Sequence, residues 1–145
     1  MNEMILKFPA RSENEIFARN AVAAFALSLE PSLAELSDIK TAVSEAVTNC
    51  IVHGYRDREG WVTIVCRSEN DCLTIEISDE GQGIKDIEEA MQPFFTTLPG
   101  EERSGMGFTI MQTFMTDFAV ESKENEGTKV TMRKQFGAGE ARNVG

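Results

Sequence analysis

The chain has 145 residues, 41% of them hydrophobic and 26% charged, which is the balance of a soluble globular protein with one core. Its 24 acidic against 14 basic residues leave a net charge of −10, and that excludes nucleic acid as an expected direct partner, because phosphate binding needs a basic face. No basic-then-apolar leader and no apolar run of about 20 residues is present, so no membrane partner and a cytoplasmic location are expected. Cys50, Cys66 and Cys72 are odd in number and lack metal-ligand spacing, which reads as free thiols in a reducing compartment.

In chain order, Met4, Leu6 and Phe8 alternate, as on an edge strand. Ser12 with Glu15 has capping-box spacing, and a helix is expected to run to about Leu29, with Ile16, Phe17, Val22, Phe25, Leu27 and Leu29 as its apolar positions. Pro31 ends it. Arg11 and Arg19 are either plain surface charge or a contact for an acidic partner. Ser32 with Glu35 is a second capping box and opens the central helix. Leu36, Ile39, Val43, Ala46, Val47, Cys50 and Ile51 recur at three- and four-residue steps on its buried face. Gly54 is expected to stop it in the left-handed conformation.

A second stripe on that helix, Glu45, Asn49 and His53, repeats every four residues. It is either a solvated flank or a ligand-bearing face. A carboxylate and an amide one turn apart suit a hard cation such as Mg²⁺. Beyond a polar loop, Trp61–Arg67 and Cys72–Asp79 read as two strands of a hairpin. Leu73, Ile75 and Ile77 share a face, and period two carries Asp79 onto it. A carboxylate there needs a hydrogen-bond partner, and a ligand amine would serve.

Asp79 opens the run Asp79-Glu80-Gly81-Gln82-Gly83-Ile84, whose glycines permit a sharp turn or a close backbone approach to a ligand. A short helix is expected over Asp86–Met91, then a lid-like loop over Gln92–Ser104. Arg103-Ser104-Gly105-Met106-Gly107-Phe108 leads into a helix over Thr109–Met115. Glycines before a helix N-terminus make a seat for phosphate, with Arg103 placed to clamp its end. Phe118–Ser122 and Thr128–Gln135 read as a closing hairpin. One domain is expected over 1–136 and a frayed tail over 137–145.

The Glu45-Ala46-Val47-Thr48-Asn49 segment, the Asp79-x-Gly81-x-Gly83 loop, a lid and Gly105-x-Gly107 stand in the order of the GHKL (Bergerat) ATP-binding family, which the chain from Met4 to Lys134 resembles. The segment ARSENEIFAR ending at Arg19, the Phe95-Thr96-Thr97 element and ERSGMGFTIM narrow the resemblance to the anti-sigma serine kinases of spore-forming bacteria. The fold so implied is a two-layer α/β sandwich, its mixed, largely antiparallel sheet carrying helices on one face. The cofactors implied are ATP or ADP and Mg²⁺. Asn49 would be the metal ligand, and Glu45 the general base or the residue that orients the attacking serine. Asp79 would accept from the adenine amine, with Gly81, Gly83 and Thr128 around the base. Thr96, Thr97, Ser104, Gly105, Met106 and Gly107 would hold phosphates, and Arg103 the γ-phosphate.

Phosphoryl transfer asks for positioning and charge neutralisation more than covalent help, which such a set supplies. The partners implied are sporulation sigma factor F, an anti-anti-sigma protein phosphorylated on serine, and a second copy of the chain. Arg19 is placed on the partner-facing surface. A kinase serving a stress sigma factor, and a nucleotide-holding module without transfer, are the alternatives. Lys85 and Leu98 depart from the family pattern, which has proline and lysine there.

Overall fold

The computed structural model describes residues 1–56, 58–91 and 107–137. Among the described residues there are five strands: β1 (Asn2–Pro9), β2 (Trp61–Glu69), β3 (Cys72–Asp79), β4 (Asp117–Lys123) and β5 (Gly127–Gln135). They make one sheet in the order β1-β2-β3-β5-β4. All four pairings are antiparallel, where the sequence led to a mixed, largely antiparallel sheet. Sequence explains the tight β2–β3 connection. Asn70 and Asp71 both take positive φ, 51° and 59°, the geometry of a two-residue turn whose twist matches the strands.

Side chains alternate across the sheet as period two demands. Val62, Ile64 and Cys66 of β2, Leu73, Ile75 and Ile77 of β3, and Val130 and Met132 of β5 are buried on one face. The opposite face is laced with cross-strand ion pairs, such as Arg67 with Glu3 at 2.7 Å and with Glu76 at 3.1 Å. The apolar face is covered by helices α1 (Glu13–Ala26), α2 (Leu33–Asn49) and α4 (Gly107–Phe114), with α2 packed between the other two. A short α3 (Ile87–Ala90) follows the glycine loop. No described helix is long and apolar enough to cross a membrane.

The helix starts divide the two capping boxes. Ser32 accepts from Glu35 N at 3.0 Å while Glu35 Oε1 accepts from Ser32 N at 2.8 Å, so the second box is complete. At the first, Ser12 makes no side-chain cap. The Glu15 carboxylate instead crosses to α2, accepting from the Ser44 hydroxyl at 2.7 Å. The buried face of α1 also differs from expectation. Ala18, Val22, Ala23 and Ala26 face the core, whereas Ile16 (54% exposed), Phe17 (55%) and Leu27 (58%) face out. Small side chains let α1 lie close against α2, and that approach decides which face is buried. The end of α1 passes through a 3₁₀ turn, Leu27–Leu29, to a left-handed Glu30 (φ 54°) before Pro31.

Two further features set up the site. The central helix does not stop at a left-handed glycine. It widens into a π turn over Cys50–Gly54, closed by Tyr55 N–H donating to Cys50 O at 3.0 Å, a form common at functional sites. The left-handed residue comes later, at Arg56 (φ 51°). At the other end of the helical layer, Lys134, only 12% exposed, reaches inward from β5. Its Nζ donates to Phe114 O at the C-terminus of α4 and pairs with Asp38 of α2 at 3.2 Å.

Candidate functional site

A cavity opens where the C-terminal end of α2, the end of β3 and the start of β5 converge. Its apolar walls are Ala46, Ile77, Ile84, Ala90, Phe108 and Val130; its polar atoms come from Asn49, His53, Asp79, Gln82 and Thr128, with Cys50 beside them. Antiparallel pairing puts Asp79 directly opposite Thr128, so one register choice delivers two of the expected base-pocket residues to the same floor.

Asp79 is 8% exposed. Its Oδ1 accepts from Gly81 N at 2.9 Å, and the carboxyl also accepts from the Cys50 thiol and the Thr128 backbone. Burial raises its pKa above the ordinary 3.8, and these donors pull the other way without cancelling it. Burial, reinforced by the charge of Asp79, pushes the Cys50 thiol well above 9.0. Cys50 therefore keeps its proton and donates it to the carboxylate.

Two glycines let the backbone close around that carboxylate. A Cβ at Gly54 would lie 2.9 Å from Asp79 Cγ, and one at Gly81 would lie 2.1 Å from Gly54 O. Gly83 turns the loop with φ +73°, a conformation other residues rarely adopt. Gln82 clasps the loop to the π turn, donating its backbone N–H to Gly54 O at 2.8 Å and its Nε2–H to His53 O at 2.7 Å. The last carbonyls of a helical segment have no partner within it, so the loop can use them. Tyr55 locks the far side, accepting from Glu80 N at 2.8 Å and donating to Trp61 O at 2.6 Å. From the sequence Cys50 reads only as a buried-face thiol and Gln82 only as part of the glycine run, and Tyr55 is passed over, because each acts through a distant partner.

At the cavity mouth, Asn49 stands against the N-terminus of α4. A Cβ on Gly107 would lie 3.0 Å from Asn49 Nδ2 and 3.3 Å from Oδ1. Glu45 is half-buried on α2, one turn before Asn49, and does not line the cavity. His53 lines it from within the π turn. Arg19, the expected partner contact, is half-exposed and bonds both Glu15 and Ser44 at 3.3 Å. Thr96, Thr97, Arg103, Ser104, Gly105 and Met106 lie outside the described residues, as does the expected tail beyond residue 137.

The residues present fit a nucleotide. A buried acceptor at the foot of apolar walls suits a flat ring bearing an amine. Among the described residues no cluster of three or more His, Cys, Asp or Glu could hold a metal. Asn49 offers one carboxamide oxygen, so a divalent ion fits there as the companion of a ligand that brings further oxygens.

A family model described as the histidine kinase-like ATPase domain matches residues 8–134. An anti-sigma F factor of Thermoanaerobacter sp. (strain X514) is 57% identical over 94% of this chain and 96% of its own. One of Clostridium acetobutylicum is 56% identical over 93% and 94%. The chain belongs to the anti-sigma F factor family. Solved structures agree on the fold. The catalytic domain of histidine kinase ThkA superposes with a TM-score of 0.59 at 16% identity, covering 91% of this chain and 95% of that one. The histidine kinase domain of the Erythrobacter litoralis EL346 blue-light activated histidine kinase gives 0.53 at 17% identity, covering 83% and 59%. This member of the anti-sigma F factor family is therefore built on an ATPase-type nucleotide-binding domain.

Proposed function

We propose that this chain is a Mg-ATP-dependent protein serine kinase and anti-sigma factor. It would hold sporulation sigma factor F inactive, and phosphorylate and so inactivate its anti-anti-sigma antagonist, acting as a cytoplasmic homodimer of one domain, residues 1–136. The observation that carries the nucleotide half is the buried Asp79 set opposite Thr128 at the foot of an apolar cavity whose mouth is Asn49 and Gly107. The partner half rests on relatives named anti-sigma F factor over nearly the whole chain.

In this reading Asp79 accepts from the adenine amine while Ile77, Ile84, Val130 and Phe108 bury the ring faces. Asn49 gives the oxygen that holds Mg²⁺, which neutralises charge on the phosphates when bound. Gly107, with Thr96, Thr97, Ser104, Gly105 and Met106, cradles the phosphates, and Arg103 meets the terminal one. Glu45 takes the proton from the partner's serine hydroxyl as that oxygen bonds to the γ-phosphorus. The bond to the bridging oxygen breaks, and ADP leaves.

Arg19 belongs to the surface that meets the acidic face of a partner, with Ile16 exposed one turn before it on α1. Glu15 and Ser44 preset its guanidinium. Arg19→Ala is expected to weaken partner binding about tenfold, and unchanged affinity for both partners removes that assignment.

A second reading, a nucleotide-holding module without transfer, is favoured by one observation: Glu45 does not line the cavity. Label transfer from γ-labelled ATP with Mg²⁺ to a purified anti-anti-sigma protein decides between them. Acid-stable label on a serine is the expected result. Tight nucleotide binding with no transfer overturns the kinase reading and leaves sigma sequestration as the function.

A further inference from the structure

Ser122 lies on the inward face of β4, opposite Thr128, and its hydroxyl has three close neighbours. Ile84 N is 2.8 Å away, Gly127 O is 2.8 Å away, and Thr128 Oγ1 is 2.9 Å away. A serine hydroxyl has one hydrogen and two acceptor positions. Ile84 N–H can only donate and a carbonyl can only accept. The Ser122 hydrogen therefore goes to Gly127, and one lone pair receives Ile84. The remaining lone pair is the only place for Thr128, so Thr128 is the donor. The reverse assignment would press the Ser122 and Gly127 oxygens together at 2.8 Å with no hydrogen between them.

The consequence falls on the cavity. Thr128 lines it with its hydrogen already spent, and offers a ligand lone pairs alone. Asp79, its neighbour across the strands, is an acceptor when ionised, and the nearby Gly81 N–H is already given to it. The polar floor is thus acceptor-only, and a ligand edge placed there must bring hydrogens. An exocyclic amine brings two. A ring carbonyl at the same position brings none and meets two acceptors.

We propose that Ser122 is a positioning residue that sets nucleotide selectivity, fixing Thr128 as an acceptor so that amino-purines are taken and keto-purines refused. The inference rests on the purine-pocket reading above. It also explains why Ser122, which does not line the cavity, is bonded to two residues that do, Ile84 and Thr128.

The test uses the full chain and two probes, ATP and ITP, which differ along one ring edge: an amine beside a bare N1 in ATP, a carbonyl beside an N1–H in ITP. The parent is expected to prefer ATP by roughly a hundredfold. Ser122→Ala frees the Thr128 hydrogen to turn toward a carbonyl, and the ATP-to-ITP preference is expected to fall by on the order of tenfold. Thr128→Val, matched in shape, removes the acceptor and narrows the ratio likewise, whereas Ser122→Thr keeps the hydroxyl and restores the preference. A folded Ser122→Ala with the parental ratio overturns the proposal. Should that variant fail to fold, a parental ratio in Thr128→Val overturns it instead. A parent that binds ATP while the ratios stay fixed sinks this inference alone, and a parent that binds neither nucleotide sinks the pocket reading with it.

Discussion

Substituting Gly54 tests the site and the fold together. Gly54 does not have positive φ, so alanine is acceptable to the backbone, and loss of glycine's unfolded freedom would by itself stabilise by about 0.4–1 kcal/mol. The added Cβ, however, would stand 2.9 Å from both Cγ and Oδ2 of Asp79 and 3.0 Å from Oδ1. Asp79 is buried and held by Gly81, Cys50 and Thr128, so it cannot swing clear. Forced overpacking costs about 1–3 kcal/mol, which leaves Gly54→Ala destabilised by about 1.3 kcal/mol at the middle of the two ranges, and by about 2.6 kcal/mol at most.

Ligand binding should suffer more than folding. A carboxylate pushed back by several tenths of an ångström loses its bond to a ligand amine. Bonds to charged groups contribute about 1.5–3 kcal/mol, so affinity for ATP should fall roughly 10- to 150-fold. Urea unfolding and titration with a fluorescent ATP analogue read the two effects separately. Gly54→Asn separates this account from a left-handed stop. Asparagine tolerates the left-handed conformation, so a stop would accept it, whereas a contact with Asp79 makes it worse than alanine. Parental affinity in Gly54→Ala, or asparagine better tolerated than alanine, would refute the reasoning.

The mechanism separates two residues one turn apart: Asn49→Ala should remove the Mg²⁺-dependent part of ATP affinity, and Glu45→Gln should keep binding while slowing serine transfer roughly 100-fold. Equal transfer rates in Glu45→Gln and parent would take Glu45 out of the chemistry. Cys66 is fully buried, and burial pushes its thiol from 9.0 to about 12. The folded pKa is the higher one, so its contribution is fully present below pH 9 and is lost as pH rises toward 12. Between pH 8.5 and 10.5 the loss is about 2 kcal/mol; Cys66→Ala should show a flatter urea-derived stability profile over that window, and a parallel profile would contradict the burial.

The sequence was most readable where one face of an element meets one core. Met4, Leu6 and Phe8, then Leu73, Ile75 and Ile77, announce their inward face by alternation, and Ser32 with Glu35 announces a helix start that the structure completes. It was least readable where the deciding neighbour is remote. Val22 is buried and Phe25 and Leu29 pack against the core as their pattern implies, yet Ile16, Phe17 and Leu27 face out while Ala18, Ala23 and Ala26 take the remaining core positions. Hydrophobicity measures what a residue gains by burial, not which side of the helix the next helix occupies. Ser12 and Glu15 have capping spacing, but Ser44, 29 positions on and in another helix, donates to the carboxylate at 2.7 Å. Gly54 was legible as a needed glycine and not as to why, because its reason is a side chain 25 positions on in the chain.

Asp79 was legible for a reason that reaches past the residue itself. Period two placed it on the buried face of β3, and the same alternation fixes the pairing of β3 with β5. A slip of one residue would turn Leu73, Ile75 and Ile77 to solvent. The core thus holds the register, and the register holds Asp79 opposite Thr128 and Thr128 opposite Ser122. A polar chain of three side chains on three adjacent strands is kept in place by the apolar residues two and four positions behind it. That is why a site whose individual contacts are invisible in the sequence still has a location that can be read from it.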